Sequence, residues 1–381
     1  MKKILFTSLN DHTPWGGSEE LWSKVAMDLS THCQVSALVK KWEKIPKQIN
    51  DLIENKISLI YKPITKQKSF KDILLDKIVQ KIALRKAESR NDFDSIENIR
   101  EYDLVVLSVG NHADPKIVEY TDYLKRLEKN YVVIIQLATD LRYLDDNIIL
   151  KLKKAYENAE CIYYLSFDNL KILEMQLGAQ LTNVMKIDNP FNFKQNYVLP
   201  LDKHVYNVAC VAALTTFHKG QELLLAAISK QKWQERNIVF NFYGTGINEM
   251  QIRRLIKIYK LEDKVNLKGY MSDKTEIWKE NIACIMPSRM EGQSLAMLEA
   301  MSFGRVIIST RVGDAERFVR HNETGFLIDA PTVEHVDFAL EQAWENRKNW
   351  IEMGKLSRNH LYNIIRKDPV VDFSEKLQIL L

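Results

Sequence analysis

The chain has no apolar run near the length needed to cross a bilayer, which excludes a membrane-spanning helix. Cysteine is scarce and scattered: Cys33, Cys161, Cys210 and Cys284 lie in or beside apolar strand patterns. That placement argues against a zinc site and against a disulfide framework. It predicts buried, reduced thiols in a cytosolic protein. No repeat at a solenoid period and no low-complexity tract occurs. The opening Met1-Lys2-Lys3-Ile4-Leu5-Phe6-Thr7-Ser8-Leu9 has too short an apolar part for a signal peptide. Asn10-Asp11-His12 follows where small residues should mark cleavage, so a first β-strand is expected. One-signed charge is lacking overall: 54 basic against 50 acidic residues leave a net charge of +4. No basic stripe with interleaved aromatics appears, which argues against a nucleic-acid partner.

The charge is nevertheless uneven. The stretch from Lys40 to Arg90 is rich in lysine, and Phe70, Ile73, Leu74, Ile78, Ile82 and Leu84 recur in it at roughly helical spacing. A basic amphipathic helix over 62–90 can lie on an anionic membrane surface. It can equally pack its apolar face on the domain and leave its lysines in water. Asp92-Phe93-Asp94 has the form of a cation-binding pair, but its polar surroundings predict a solvated loop.

With 381 residues, 46% apolar and 27% charged, the chain suits two soluble domains. Strand and helix patterns alternate throughout, which predicts an α/β fold with two Rossmann-like, doubly wound parallel sheets facing a cleft. Strands are expected at Ile4–Leu9, Val35–Val39, Ile57–Tyr61, Leu104–Val109, Tyr131–Leu137, Cys161–Ser166 and Val184–Asp188. After a linker around Asn189-Pro190-Phe191-Asn192 the pattern restarts at Asn207–Leu214, Val239–Tyr243, Val265–Lys268, Cys284–Met286, Val306–Ser309 and Phe326–Ile328. The boundaries drawn are 1–192, 193–365 and a C-terminal helix at 366–381 that packs back on the first domain.

Chemistry-bearing residues gather at strand ends. Trp15-Gly16-Gly17-Ser18 follows the first strand; its glycines allow a tight turn or close approach of a ligand, and Ser18 is placed to cap the next helix. It lacks the third spaced glycine of a dinucleotide fingerprint. Lys219, in His218-Lys219-Gly220-Gln221, stands between a strand and its helix, where it can neutralise an anion or simply face solvent. Gly244, in Tyr243-Gly244-Thr245-Gly246, and Tyr270, after Gly269, end two further strands. Glu291 lies in Pro287-Ser288-Arg289-Met290-Glu291-Gly292, and Glu299 two helical turns later. Between them Gln293, Ser294 and Leu295 start a helix whose free N–H groups suit a diphosphate.

Taken together, from Val208 to about Trp344, these elements resemble the donor-binding half of the family-4 glycosyltransferases, which have the GT-B architecture. The residues carrying the likeness are His218-Lys219-Gly220-Gln221, Tyr243-Gly244-Thr245-Gly246, Pro287 to Gly292, Glu299-Ala300-Met301 with Gly304, Val312-Gly313 and Thr324-Gly325-Phe326. Gly16-Gly17-Ser18 and Asn189-Pro190-Phe191-Asn192 extend it loosely into the first half. The resemblance implies an acceptor-binding first domain and a donor-binding second one. It implies Glu291 on the donor sugar, amides of Gln293, Ser294 and Leu295 on the diphosphate, Glu299 on the ribose and Lys219 on the leaving charge. Gly16, Gly17, Gly244, Tyr270 and Gly292 would complete the donor site. It further implies transfer with retention, no metal, a nucleotide-sugar co-substrate with uridine as the base, and a saccharide or lipid-linked acceptor. Cell-surface polysaccharide or glycoconjugate synthesis, on the inner face of the cell membrane, would be the setting.

The chain departs from the family pattern at three places. Ala213 stands where an arginine is usual, Gly292-Gln293-Ser294 replaces Gly-Phe-Gly, and no histidine occurs in Gln136-Leu137-Ala138-Thr139-Asp140. His112 is the nearest substitute and is the third catalytic candidate beside Lys219 and Glu291. Other readings stay open: a nucleotide-sugar epimerase or phosphorylase on the same fold, or a catalytically weak subunit that assists a partner transferase.

Overall fold

The computed structural model describes residues 1–11, 13–63, 92–138, 140–194 and 206–381. Two wholly parallel sheets organise them. The first has seven strands in the order β3-β2-β1-β4-β5-β6-β7: β1 Lys3–Ser8, β2 Gln34–Val39, β3 Ser58–Tyr61, β4 Leu104–Val109, β5 Tyr131–Ile135, β6 Cys161–Tyr164 and β7 Val184–Lys186. The second has six in the order β10-β9-β8-β11-β12-β13: β8 Tyr206–Val211, β9 Ile238–Tyr243, β10 Val265–Gly269, β11 Ala283–Met286, β12 Val306–Thr310 and β13 Gly325–Ile328. The expected α/β class with two doubly wound sheets is the fold observed.

The central strands are continuous apolar runs because helices cover both faces of each sheet. All six residues of β4 are buried. Alternate residues feed two cores. Ile4, Phe6, Leu104 and Val106 face one side, with Trp22 from the helix Gly17–Leu29. Leu5, Val105, Leu107, Val133 and Ile135 face the other, with Tyr120 and Leu124.

The chain passes between the sheets twice. After β7, Phe191 enters the core of the second sheet, and Phe193 and Tyr362 pack beside it. Near the C-terminus the helix Trp350–Ile364 underpins the second sheet. The helix Pro369–Gln378 then returns to the first, where Phe373 meets Tyr163 edge-on at 4.7 Å and Leu377 is fully buried. The four cysteines are free and buried. No helix among the described residues is long and apolar enough to cross a membrane.

One expectation about charge lies outside the described residues and another fails. The amphipathic pattern over 62–90 is described only at Lys62 and Pro63. Lys62 is buried and pairs with Asp11 at 2.9 Å. Burial pushes its pKa down against the pull of Asp11. Asp92 is not in a solvated loop either. Phe93 is fully buried against Tyr120, and Asp92 pairs with Lys116 at 3.1 Å and accepts the Tyr120 hydroxyl. Asp11 also binds Lys116, at 2.6 Å. Two lysines and two aspartates neutralise one another, which offsets part of the cost of burying them.

Candidate functional site

Each sheet reverses its strand order once, and the candidate residues collect at those reversals. In the first sheet β1 lies between β2 and β4; in the second β8 lies between β9 and β11. Loops leaving the carboxyl ends of such strand pairs diverge and open a crevice. Gly16 and Gly17 follow β1, His112 follows β4, Lys219 follows β8, and Glu291 follows β11.

The two crevices meet. A Cβ on Gly17 would lie 3.4 Å from the side chain of Leu295, so the starts of the helices Gly17–Leu29 and Leu295–Ser302 approach each other. A Cβ on Gly292 would lie 2.3 Å from the carbonyl oxygen of Gln136, at the end of β5. Only glycine lets the two backbones come this close. The Asn169 side-chain amide donates to the Ala138 carbonyl at 2.8 Å and reaches the Glu291 carbonyl at 3.4 Å.

Glu291 is held firmly. Lys219 Nζ lies 2.7 Å from its Oε1, and the Ser288 hydroxyl donates to the same oxygen at 2.8 Å. Oε2 has no protein partner among the described residues, so it can accept a hydrogen bond from a ligand. The lysine is placed by a short helical turn, Thr216–Lys219, that ends at Gly220 in the left-handed region. The backbone N–H groups of Arg289 and Met290 both donate to the His218 carbonyl, at 2.8 and 3.4 Å. This binds the two loops into one unit.

The helix Leu295–Ser302 starts at Ser294, whose hydroxyl accepts from the Met297 N–H at 3.4 Å. The amides of Leu295 and Ala296 have no acceptor among the described residues. First-turn amides like these carry the positive end of the helix dipole. Glu299, further along this helix, is largely buried and lies 3.6 Å from Lys274. Burial raises its pKa, while Lys274 and Lys24 oppose the shift. Lys219 and Glu291 thus stand paired ahead of a helix start with free amides, and Glu299 lies further along the same helix. That arrangement can hold a diphosphate flanked by two hydroxyl-bearing groups.

The Gly16 loop is organised by a residue the sequence reading passed over. Glu19 is 4% exposed, yet its carboxylate accepts from Ser8 at 3.0 Å, Asn10 at 2.9 Å, the Gly16 N–H at 3.0 Å and Ser18 at 2.8 Å. Ser18 therefore does not cap the helix: Gly16 occupies the cap position and the Ser18 hydroxyl turns to Glu19. The three-residue step from Gly16 to Glu19 is the spacing of a capping box and was the available signal. Ser288, three residues before Glu291, could be suspected on spacing as well. Gln136 and Asn169 could not, because only the meeting of the two domains gives them a role.

Three candidates stand differently. A Cβ on Gly244 (φ 136°) would lie 2.1 Å from the Ala212 carbonyl, so backbone packing alone accounts for this glycine. Tyr270 is 67% exposed at the end of β10. His112 is buried, with Nε2 unpartnered and its own carbonyl accepting the Tyr156 hydroxyl. Burial and the nearby Arg142 charge lower its pKa from 6.5 to about 4. The unfolded chain takes up this proton near pH 6.5 and the folded chain only near 4. The neutral ring's contribution to stability is therefore complete above pH 6.5 and lost as pH falls towards 4. At most about 3 kcal/mol is at stake. Urea melts of wild type and His112→Gln at pH 7 and 4.5 should show a shallower pH dependence in the variant. Equal slopes would mean that the ring titrates normally.

Comparison with known proteins places the fold. The structure superposes on Anabaena HepE in complex with UDP and glucose with a TM-score of 0.74 at 16% identity, covering 99% of this chain and 98% of that one. The fold is therefore GT-B. Residues 197–359 match the family described as glycosyl transferases group 1. An uncharacterized glycosyltransferase of Haemophilus influenzae is 27% identical over 182 residues, 46% of this chain and 50% of that protein. The poly(ribitol-phosphate) alpha-N-acetylglucosaminyltransferase of Staphylococcus aureus is 25% identical over 241 residues, 61% of this chain and 47% of that protein. The chain thus spans about half the length of these curated relatives.

Proposed function

We propose that this protein is a glycosyltransferase that moves a sugar from a UDP-linked donor to a saccharide, lipid-linked or other acceptor, with retention and without a metal. The observation that carries the reading is the Lys219–Glu291 pair at 2.7 Å beside the open amides at the start of the helix Leu295–Ser302. The diphosphate sits on those amides and on Lys219. Oε2 of Glu291 accepts from hydroxyls of the donor sugar, and Glu299 accepts from the ribose. An acceptor hydroxyl oxygen bonds to the anomeric carbon as the bond from that carbon to the phosphate oxygen breaks. The hydroxyl proton passes to the departing phosphate, whose developing charge Lys219 and the amides stabilise. No carboxylate nucleophile is needed for this route.

Calorimetry with UDP, GDP and ADP on wild type and Glu299→Ala tests the reading. Selective UDP binding is expected, with about tenfold or greater weakening in the variant through loss of a charge-assisted hydrogen bond. Absence of binding to any nucleotide would overturn it.

One observation favours a second reading, a subunit that works only with a partner. Ala213, just beyond β8, is exposed and brings no charge to the place where the family resemblance implies an arginine. Turnover that appears only when a partner chain is added would select that reading.

A further inference from the structure

Three consecutive residues ahead of the open helix start are each held by the segment that leads out of the first sheet, or by that sheet's own loops. Glu291 meets Asn169 through its carbonyl, and Gly292 meets Gln136. The third, Gln293, is 4% exposed, and both ends of its side-chain amide are engaged. Its Oε1 accepts the Asn189 backbone N–H at 2.5 Å. Its Nε2 donates to Asp188 at 2.6 Å and to Asp314 at 2.9 Å. Its own carbonyl accepts from the Asn189 side chain at 2.7 Å.

Asp188 and Asn189 belong to the stretch where the chain leaves the first sheet, directly after β7. Lys186 lies 3.3 Å from Asp188 and 3.0 Å from Asp314. Arg317 also pairs with both aspartates. The carboxylates are therefore compensated in charge, and Gln293 adds no charge of its own. What it adds is reach: one planar amide spans the departing chain and the loop that follows β12. An apolar side chain of the same size would leave the Asn189 N–H and two carboxylate oxygens short of a partner.

We propose that Gln293 is a positioning residue that couples occupation of the amides at the start of the helix Leu295–Ser302 to the crossing segment Asp188–Asn189. The inference rests on the reading that those amides bind the donor diphosphate. Binding a diphosphate there fixes residues 293–296. Through Gln293 it also fixes the segment that sets how closely the first domain approaches. The crossing segment in turn holds the amides ready before the ligand arrives.

Hydrogen exchange with and without UDP, together with UDP calorimetry, tests this on wild type, Gln293→Met and Gln293→Glu. In wild type, UDP is expected to slow exchange both at Leu295–Ser302 and at Ile187–Phe191. In Gln293→Met, UDP should bind about tenfold more weakly, within the usual range of coupling between sites. It should still protect the helix but no longer the crossing segment. A variant altered only in stability would lose both protections or neither. Gln293→Glu keeps the acceptor for Asn189 but sets a third carboxylate against Asp188 and Asp314, so it should break the same link if the methionine variant fails to fold. Retention of UDP-dependent protection at Ile187–Phe191 in a folded variant would overturn the coupling. Absence of UDP binding to wild type would instead overturn the donor-site reading, and this inference with it.

Discussion

Replacing Lys219 by alanine is expected to lower turnover by about 10²–10³-fold, the scale seen when one preorganised stabiliser of developing charge is removed. The loss should be large because so little else supplies positive charge at that point. Ala213 offers none, and the amides of Leu295 and Ala296 are dipoles. Without Lys219, Glu291 would keep only Ser288 at 2.8 Å and would present an uncompensated carboxylate to the diphosphate. UDP affinity should therefore fall along with the rate. The fold should survive, because the lysine side chain is 25% exposed and packs in neither core. Release of UDP from a donor that wild type turns over, with melting curves as control, is the measurement. A wild-type rate would remove Lys219 from the reaction.

Adding one methyl group at Gly292 should be nearly as damaging. The Cβ of Gly292→Ala would stand 2.3 Å from the Gln136 carbonyl oxygen and 3.1 Å from Asn169 Oδ1. Neither can swing away cheaply. Gln136 is fixed by bonds from its side chain to the Ser18 carbonyl at 3.1 Å and to Ser108 at 3.4 Å. Asn169 is tied to Ala138. The domains must then separate by about 1 Å, and a misplacement of that size costs about 10²-fold in rate. Each sheet keeps its own core, so the variant should fold and still bind UDP. A variant with wild-type turnover would mean that this contact is not made during the reaction.

Much of this architecture could be read from residues alone. Apolar runs such as Leu104–Val109 mark strands covered on both faces. The alternation of such runs with helical patterns points to two parallel sheets and puts Lys219, Glu291 and Gly16 at carboxyl ends. Strand limits shifted where side chains took other work. Cys161–Ser166 stops at Tyr164 because Ser166 caps the next helix by accepting from the Asn169 N–H at 3.1 Å. Asn207–Leu214 stops at Val211 because Leu214 turns to bond the Thr245 carbonyl at 3.0 Å. Contacts distant in sequence were not legible. Gln293 and Asn189 are 104 positions apart, and Lys116 and Asp11 are 105 apart. Each looks like an ordinary polar loop residue until the fold supplies its partner. A spacing rule sees neighbours on one element and is blind to such pairs.

The return of the helix Pro369–Gln378 to the first sheet has a consequence for synthesis on the ribosome. Phe373 and Leu377 complete a core whose other members begin at Ile4. During elongation this flank of the first sheet stays uncovered while the entire second domain is made. The second sheet has all its strands by Ile328 and its supporting helix by Ile364, so it can close before its older neighbour. Domains usually mature in the order in which they emerge. Here the half begun first is the half finished last, and its exposed apolar flank is the natural target for a chaperone in the interval.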